Sequence, residues 1–238
     1  MLLEVCVDTI EGAWAAVRGG ARRIELCSSL SEGGLTPSAG LMRAAAQLPV
    51  PVYAMIRPRA GLFRFSETEK EIMVSDIELA KDLGLAGVVL GVQREDRALD
   101  RELLASLSDR ASGMGRTLHR VIDVVPDLFA ALETAIDLGF ERVLTSGGQA
   151  TADAGRAVIQ EMVAAAGGRT SIMPGAGLQP DMVASIIQST GATEVHASCS
   201  VIVIDENASG LFCPPGGCRE TSEDLVKQMV AAMDNSGY

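Results

Sequence analysis

Short apolar runs alternate along the chain with longer stretches in which apolar residues recur every three or four positions. The runs predict strands at 3–7, 23–27, 52–57, 87–90, 117–121, 142–145, 171–173 and 194–197, and the longer stretches predict helices at 9–18, 38–47, 68–83, 101–112, 127–138, 152–166 and 181–189. Gly19, Gly84, Gly139 and Gly191 follow apolar stripes, where a left-handed C-cap belongs, and Pro37, Pro126 and Pro180 stand near helix starts. Such alternation predicts right-handed crossovers and a parallel sheet. With 238 residues the chain is close to the roughly 250 of an eight-fold barrel, so the expectation is an α/β fold. In it a single TIM-type (β/α)8 barrel domain spans 1–238. An open parallel sheet is the alternative, but the first strand runs into Asp8-Thr9-Ile10-Glu11 and lacks the glycine turn of dinucleotide-binding sheets.

Composition narrows the function classes. Hydrophobic residues make up 47% and aromatics 3%, so the core must be aliphatic, as parallel sheets require. A net charge of −11 argues against nucleic acid and anionic membrane surfaces as partners. No apolar run approaches the roughly 18 residues of a membrane span, and Glu4 and Asp8 interrupt the start too early for a secretory leader, which points to the cytoplasm. Five cysteines, at 6, 27, 199, 213 and 218, are an odd number and read as reduced thiols.

Strand parity then sorts the polar residues. If Leu3, Val5 and Val7 face the helices, Glu4, Cys6 and Asp8 face the barrel interior; Ile24 and Leu26 outward leaves Arg23, Glu25 and Cys27 inward. By the same rule Met55, Arg57 and Arg59 line the interior and its mouth, Thr117 and His119 share a face with Asp123 just beyond, and His196 closes the last strand. Desolvated charges cost several kcal/mol each unless compensated, so this convergence at strand ends predicts a ligand-binding or active site. Two glycine loops, Thr145-Ser146-Gly147-Gly148 and Pro174-Gly175-Ala176-Gly177, offer backbone N–H groups to an anion, a reading that Arg57 and Arg59 support. The same glycines also serve tight strand-to-helix turns without any ligand. Cys6 and Cys27 lie on strands expected to be neighbours, about 4.8 Å apart, so one soft ion such as copper(I) would reach both; buried cysteines are more often plain hydrophobes. The CPPGGC segment, 213–218, lacks the spacing of a strong metal motif.

Several segments, taken in order, resemble the CutC family, known as copper homeostasis proteins: Glu4-Val5-Cys6, Arg23-Ile24-Glu25-Leu26-Cys27, Glu32-Gly33-Gly34-Leu35-Thr36-Pro37-Ser38, Met55-Ile56-Arg57-Pro58-Arg59, Thr117-Leu118-His119-Arg120, Leu144-Thr145-Ser146-Gly147 and Val195-His196-Ala197-Ser198. The resemblance runs to about residue 198, leaving 199–238 as a divergent segment. It implies a cytoplasmic, homo-oligomeric barrel that binds copper(I), with Cys6 and Cys27 at the positions the family is proposed to use. Where the family tends to read Gly-Asp-Phe-x-Tyr-Ser, this chain has Gly61-Leu62-Phe63-Arg64-Phe65-Ser66, without the Asp and the Tyr.

A copper carrier needs accessible thiolates and little else, whereas carboxylates, guanidiniums and imidazoles suit proton transfer on a small anion. The second expectation is therefore a lyase or isomerase acting on an anionic or sugar-like molecule. Glu25 or His119 serves as base or acid, Asp123 orients a neighbour and His196 is a second proton donor. Glu4, Arg57, Arg59, Arg120, Ser146, Gly147, Gly148, Gly175 and Gly177 form the binding set. A divalent metal on the two histidines with Glu and Asp is a third reading, weakened by the absence of a close His pair in sequence.

Overall fold

The structure is a computed structural model that describes residues 1–204 and 217–234. Eight parallel strands, β1 (Leu2–Val7), β2 (Arg23–Leu26), β3 (Val52–Met55), β4 (Gly87–Leu90), β5 (Gly115–Leu118), β6 (Arg142–Thr145), β7 (Ser171–Pro174) and β8 (Glu194–Ala197), pair in the order β7-β6-β5-β4-β3-β2-β1-β8. The two ends of that ladder, β7 and β8, lie against each other, so the sheet curls into a nearly closed barrel and the open-sheet alternative falls away. Seven helices cover it: α1 (Ile10–Gly19), α2 (Ala39–Ala45), α3 (Glu67–Asp82), α4 (Arg101–Arg110), α5 (Leu128–Asp137), α6 (Arg156–Ala166) and α7 (Val183–Thr190). The main core is the layer between strands and helices. Val5, Ile24, Leu26, Ala54, Leu90, Leu118 and Val143 meet Met42, Met73, Ile77, Leu104, Leu132, Met162 and Ile187 there, each large side chain contributing about 1.5–3 kcal/mol.

The divergent tail supplies what sequence periodicity left out. Ser200–Val203 (β9) and Cys218–Thr221 (β10) pair as an antiparallel hairpin, and Glu223–Asp234 (α8) buries Val226, Met229 and Met233 against α1 and α7. The barrel thereby gains its eighth helix. Of the CPPGGC segment, 213–216 fall outside the described residues. Among the described residues no helix is long and apolar enough to cross a membrane.

Several boundaries differ from the periodic reading, each with a local cause. β3 ends at Met55 because the Arg57 N–H turns to the Thr36 hydroxyl (2.9 Å) instead of the neighbouring strand. β5 ends at Leu118 because the His119 ring accepts the Val121 N–H and opens a 3-10 turn over Arg120–Val124. The first C-cap is Gly20 at φ +102°, one residue past the predicted Gly19.

Inside the barrel, polar groups replace the usual aliphatic layers at the N-terminal end. Arg23 bridges Glu4 and Glu194, and Arg142 Nε lies 3.4 Å from the same Glu194. Tyr53 lies beneath both guanidiniums, 5.6 Å from Arg23 and 4.8 Å from Arg142. Gly87 and Gly115 make room for that ring: a methyl on either would come within 2.2 or 2.0 Å of Tyr53 atoms.

Candidate active site

Above the charged layer, the strand ends gather the predicted residues around a cavity of about 180 Å³. Its polar wall is Cys6, Glu25, Arg57, His119, Arg120 and His196, and Met55, Phe63 and Leu144 supply apolar surface. Parallel pairing sets Cys6 opposite Glu25 on β1 and β2, and Glu4 opposite His196 on β1 and β8.

Glu4 does not line this cavity. It lies fully buried below, where it accepts hydrogen bonds from Arg23 and from His196 Nδ1 (2.8 Å). Burial opposes its charge, but His196 and Arg23 outweigh that and hold the carboxyl down to about 2. His196 therefore directs Nδ1–H at Glu4 and Nε2 at Glu25, 3.7 Å from Oε2. Burial disfavours its imidazolium, yet Cys6, Glu25 and Glu4 raise it well above the ordinary value. For Glu25, burial dominates and pushes the carboxyl up to about 7. Its Oε2 accepts the Cys27 thiol (3.6 Å), while its buried Oε1 has no partner among the described residues.

His119 is held with equal definition. Its Nδ1 accepts the Val121 N–H (3.1 Å), so the ring proton sits on Nε2, and that buried N–H has no partner either. Phe63 covers the ring at 4.8 Å, and Gly91 lies against its edge: a methyl there would stand 2.1 Å from Cε1. Burial, helped by the Arg57 charge, lowers the imidazole to about 3, so it stays neutral. An unfolded histidine takes its proton near 6.5, so below that pH the unfolded chain binds the proton and the folded one does not. Stability should fall by about 1.4 kcal/mol per unit as pH drops below 6.5, or about 2 kcal/mol by pH 5. His119→Gln should lack this loss, read as the wild-type-minus-variant difference in denaturant unfolding at pH 5 and pH 7.5, in which other groups cancel. An unchanged difference would refute the neutral buried ring.

The remaining candidates separate into those at the cavity and those spent elsewhere. Arg57 donates to the carbonyls of Glu32 (2.8 Å), Gly34 (3.1 Å) and Gly61 (3.1 Å) and packs on Phe63, pinning two loops over the cavity and leaving Nε without a partner among the described residues. Arg59 turns outward to Glu69 and the carbonyls of Ala60, Leu62 and Arg64, because strand parity stops applying once β3 ends at Met55. Asp123 is fully engaged: it accepts from Thr145 Oγ1 (2.6 Å), the N–H of Ser146 and Gly148 (3.0 Å each), Ser146 Oγ and Arg120. The cradle read at Ser146, Gly147 and Gly148 is thus taken up by the chain itself: Asp123 accepts the Ser146 and Gly148 N–H and positions Arg120, and Thr145 Oγ1 accepts the Gly147 N–H (2.9 Å). Gly175 and Gly177 also stand outside the cavity wall. Gly175 is required for space, since a methyl would lie 2.5 Å from Leu144 and 3.3 Å from His196. Sequence reading missed Phe63 and Gly91, and only the position of Gly91 directly after a buried strand hinted at it.

Cys27 is fully buried among Tyr53, Met55 and Val89, and burial, with Glu25 beside it, pushes its thiol well above the ordinary value. The ligand atoms of Cys6, Glu25 and His196, in contrast, all lie within 4.8 Å of one another.

A protein of Sinorhizobium medicae described as a family protein CutC is 54% identical over 98% of this chain and 96% of its own length. The human copper homeostasis protein cutC homolog is 48% identical over 83% of this chain and 72% of its own. Among solved structures, a CutC copper homeostasis protein of Streptococcus agalactiae matches with a TM-score of 0.80 and 30% identity over 83% of this chain and 98% of that one. Phosphoribosylanthranilate isomerase of Thermotoga maritima, at 15% identity and a TM-score of 0.58, shares the fold alone. The sequence model described as the CutC family matches residues 1–201, and the chain belongs to that family.

Proposed function

We propose that the cavity is the active site of an acid–base enzyme, of lyase or isomerase type, acting on a small anionic or sugar-like molecule. One observation carries this reading: two buried polar atoms, Glu25 Oε1 and His119 Nε2, have no partner among the described residues and belong to side chains that line the same cavity. A buried donor or acceptor left unpaired costs about 1–3 kcal/mol, so a ligand that satisfies both is the economical explanation. In this reading Glu25 Oε1 accepts a proton or hydrogen bond from the substrate, and neutral His119 donates Nε2–H to an oxygen on which charge develops. Arg57 and Arg120 make that end of the cavity attractive to an anion. A volume of about 180 Å³ lies below the roughly 300–1,000 Å³ of drug-sized sites and restricts the ligand to a few carbons. A cytoplasmic homo-oligomer is part of the same reading, supported by the family resemblance and by the free thiols of Cys6, Cys27 and Cys199.

Copper(I) binding at Cys6 and Cys27 is the second reading, favoured by the names of the relatives and by the place of both thiols on neighbouring strands. The residues present fit it poorly. Cys27 is fully buried and held as a thiol by its surroundings, whereas ion exchange needs an accessible thiolate.

The test is a thermal-shift screen of short hydroxy acids, sugar acids and their phosphates, repeated on His119→Gln. A true ligand at about 100 times its Kd should stabilise the wild type by about 2.7 kcal/mol and the variant much less. The proposal fails if no compound stabilises the wild type or if the variant responds equally.

A further inference from the structure

We infer that Cys6, Glu25 and His196 form a binding site for a divalent cation of borderline softness, such as zinc, open on one side to the cavity. The three ligand atoms come from three adjacent strands, all are buried, and all lie within 4.8 Å of one another. His196 Nε2 and Glu25 Oε2 stand 3.7 Å apart. Ligands on a tetrahedral ion with bonds of about 2.0–2.3 Å stand about 3.3–3.8 Å apart, so small side-chain adjustments complete the geometry.

The surroundings match that assignment. Metal-bound histidines donate their second ring N–H to a carboxylate that fixes tautomer and orientation, and Glu4 takes the Nδ1–H of His196 at 2.8 Å while Arg23 anchors Glu4 from the other side. Charge points the same way. Glu4 and Glu194 are answered by Arg23 and Arg142, but the sole ion-pair neighbour of Glu25 among the described residues is His196. A cation there takes over the compensation that His196 alone supplies to this buried carboxylate. On binding, the Cys6 thiol, the His196 Nε2–H and, where protonated, Glu25 give their protons to solvent, and sulfur, ring nitrogen and carboxylate oxygen take the metal with no redox change. One thiolate, one carboxylate and one imidazole form a mixed set suited to borderline ions, unlike the paired thiolates that select copper(I). Three protein ligands facing a cavity leave a fourth position for water or substrate.

This inference rests on the proposed function only in sharing its cavity, since an ion held through Glu25 Oε2 leaves Oε1 for the ligand. The test is anaerobic titration of chelator-treated, reduced protein with Co2+. The expected result is one equivalent bound in a tetrahedral visible spectrum with a thiolate-to-cobalt charge-transfer band, abolished by Zn2+. Cys6→Ser should lose that band, and Glu4→Gln should weaken binding about 10–100-fold. Cys27→Ser and the Cys213→Ser/Cys218→Ser double variant should keep the band. In the wild type alone, Zn2+ should protect Cys6 from alkylation, a readout that survives misfolding of any variant. The site is overturned by a wild type with no band and no protection, by a band that persists in Cys6→Ser, or by a band lost with Cys27. Running the ligand screen with and without Zn2+ separates the two proposals: ligand shifts without a cobalt band sink the cation site alone, and a band without ligand shifts sinks the enzyme reading alone.

Discussion

Arg23→Met is expected to lower the free energy of unfolding by about 3–5 kcal/mol, enough to threaten the fold of a typical domain. Arg23 is almost fully buried and its guanidinium answers two carboxylates at once, Glu4 and Glu194. Methionine approximates its length and fills the space, so the cost is electrostatic and not a cavity. It leaves Glu4 with His196 alone and Glu194 with Arg142 at 3.4 Å. Isolated buried charge is the expensive state, while replacing a whole buried network by neutral groups is often close to neutral. The triple variant Glu4→Gln/Arg23→Met/Glu194→Gln should accordingly recover much of the loss, a non-additivity of several kcal/mol among contacting residues. Chemical denaturation of the single and triple variants measures both. If Arg23→Met costs less than about 1 kcal/mol, the charged layer is not the structural base ascribed to it.

That layer also marks where sequence reasoning stopped. Parity placed Glu4, Cys6, Arg23, Glu25 and Cys27 inside the barrel because alternation along β1 and β2 is strict, and the structure buries all five. Parity says nothing about depth, however. Glu4 was read as a ligand-binding residue, yet it sits below the cavity and reaches it through His196. Arg59 followed the same alternation on paper, but the chain leaves the sheet at Met55 and the rule lapses. The glycine loop after β6 is expected to cradle a ligand anion, but Ser146 and Gly148 give their N–H groups to Asp123 of the preceding turn, a pairing that no spacing rule encodes. The eighth helix was hidden because its apolar residues Val226, Met229 and Met233 follow a segment without period, and its partners on α1 and α7 are distant in sequence.

Gly91→Ala, far smaller as a chemical change, should remove function while the fold persists. Gly91 follows β4 directly, and its backbone N–H and carbonyl need not move to accept a methyl, since its φ is not in the left-handed region. The obstacle is the His119 ring, whose Cε1, Nδ1 and Nε2 would stand 2.1, 2.4 and 2.7 Å from the new carbon. The ring has little freedom to retreat. Val121 N–H holds Nδ1, the Phe63 ring covers it at 4.8 Å, and its own backbone N–H is bonded to Leu90 (3.0 Å). Overpacking of this kind costs about 1–3 kcal/mol, and a displacement of about 1 Å in a catalytic group costs about 10²-fold in rate or transition-state affinity. Gly91→Ala should therefore unfold at lower denaturant and lose the thermal shift produced by any ligand found for the wild type. Adding His119→Ala removes the clashing ring, so the double variant should regain the stability lost to Gly91→Ala and still bind no ligand. Recovery of stability without recovery of binding assigns the steric cost to the ring and the binding to its Nε2–H, whereas a Gly91→Ala protein with the wild-type ligand shift would show that His119 does not face the substrate.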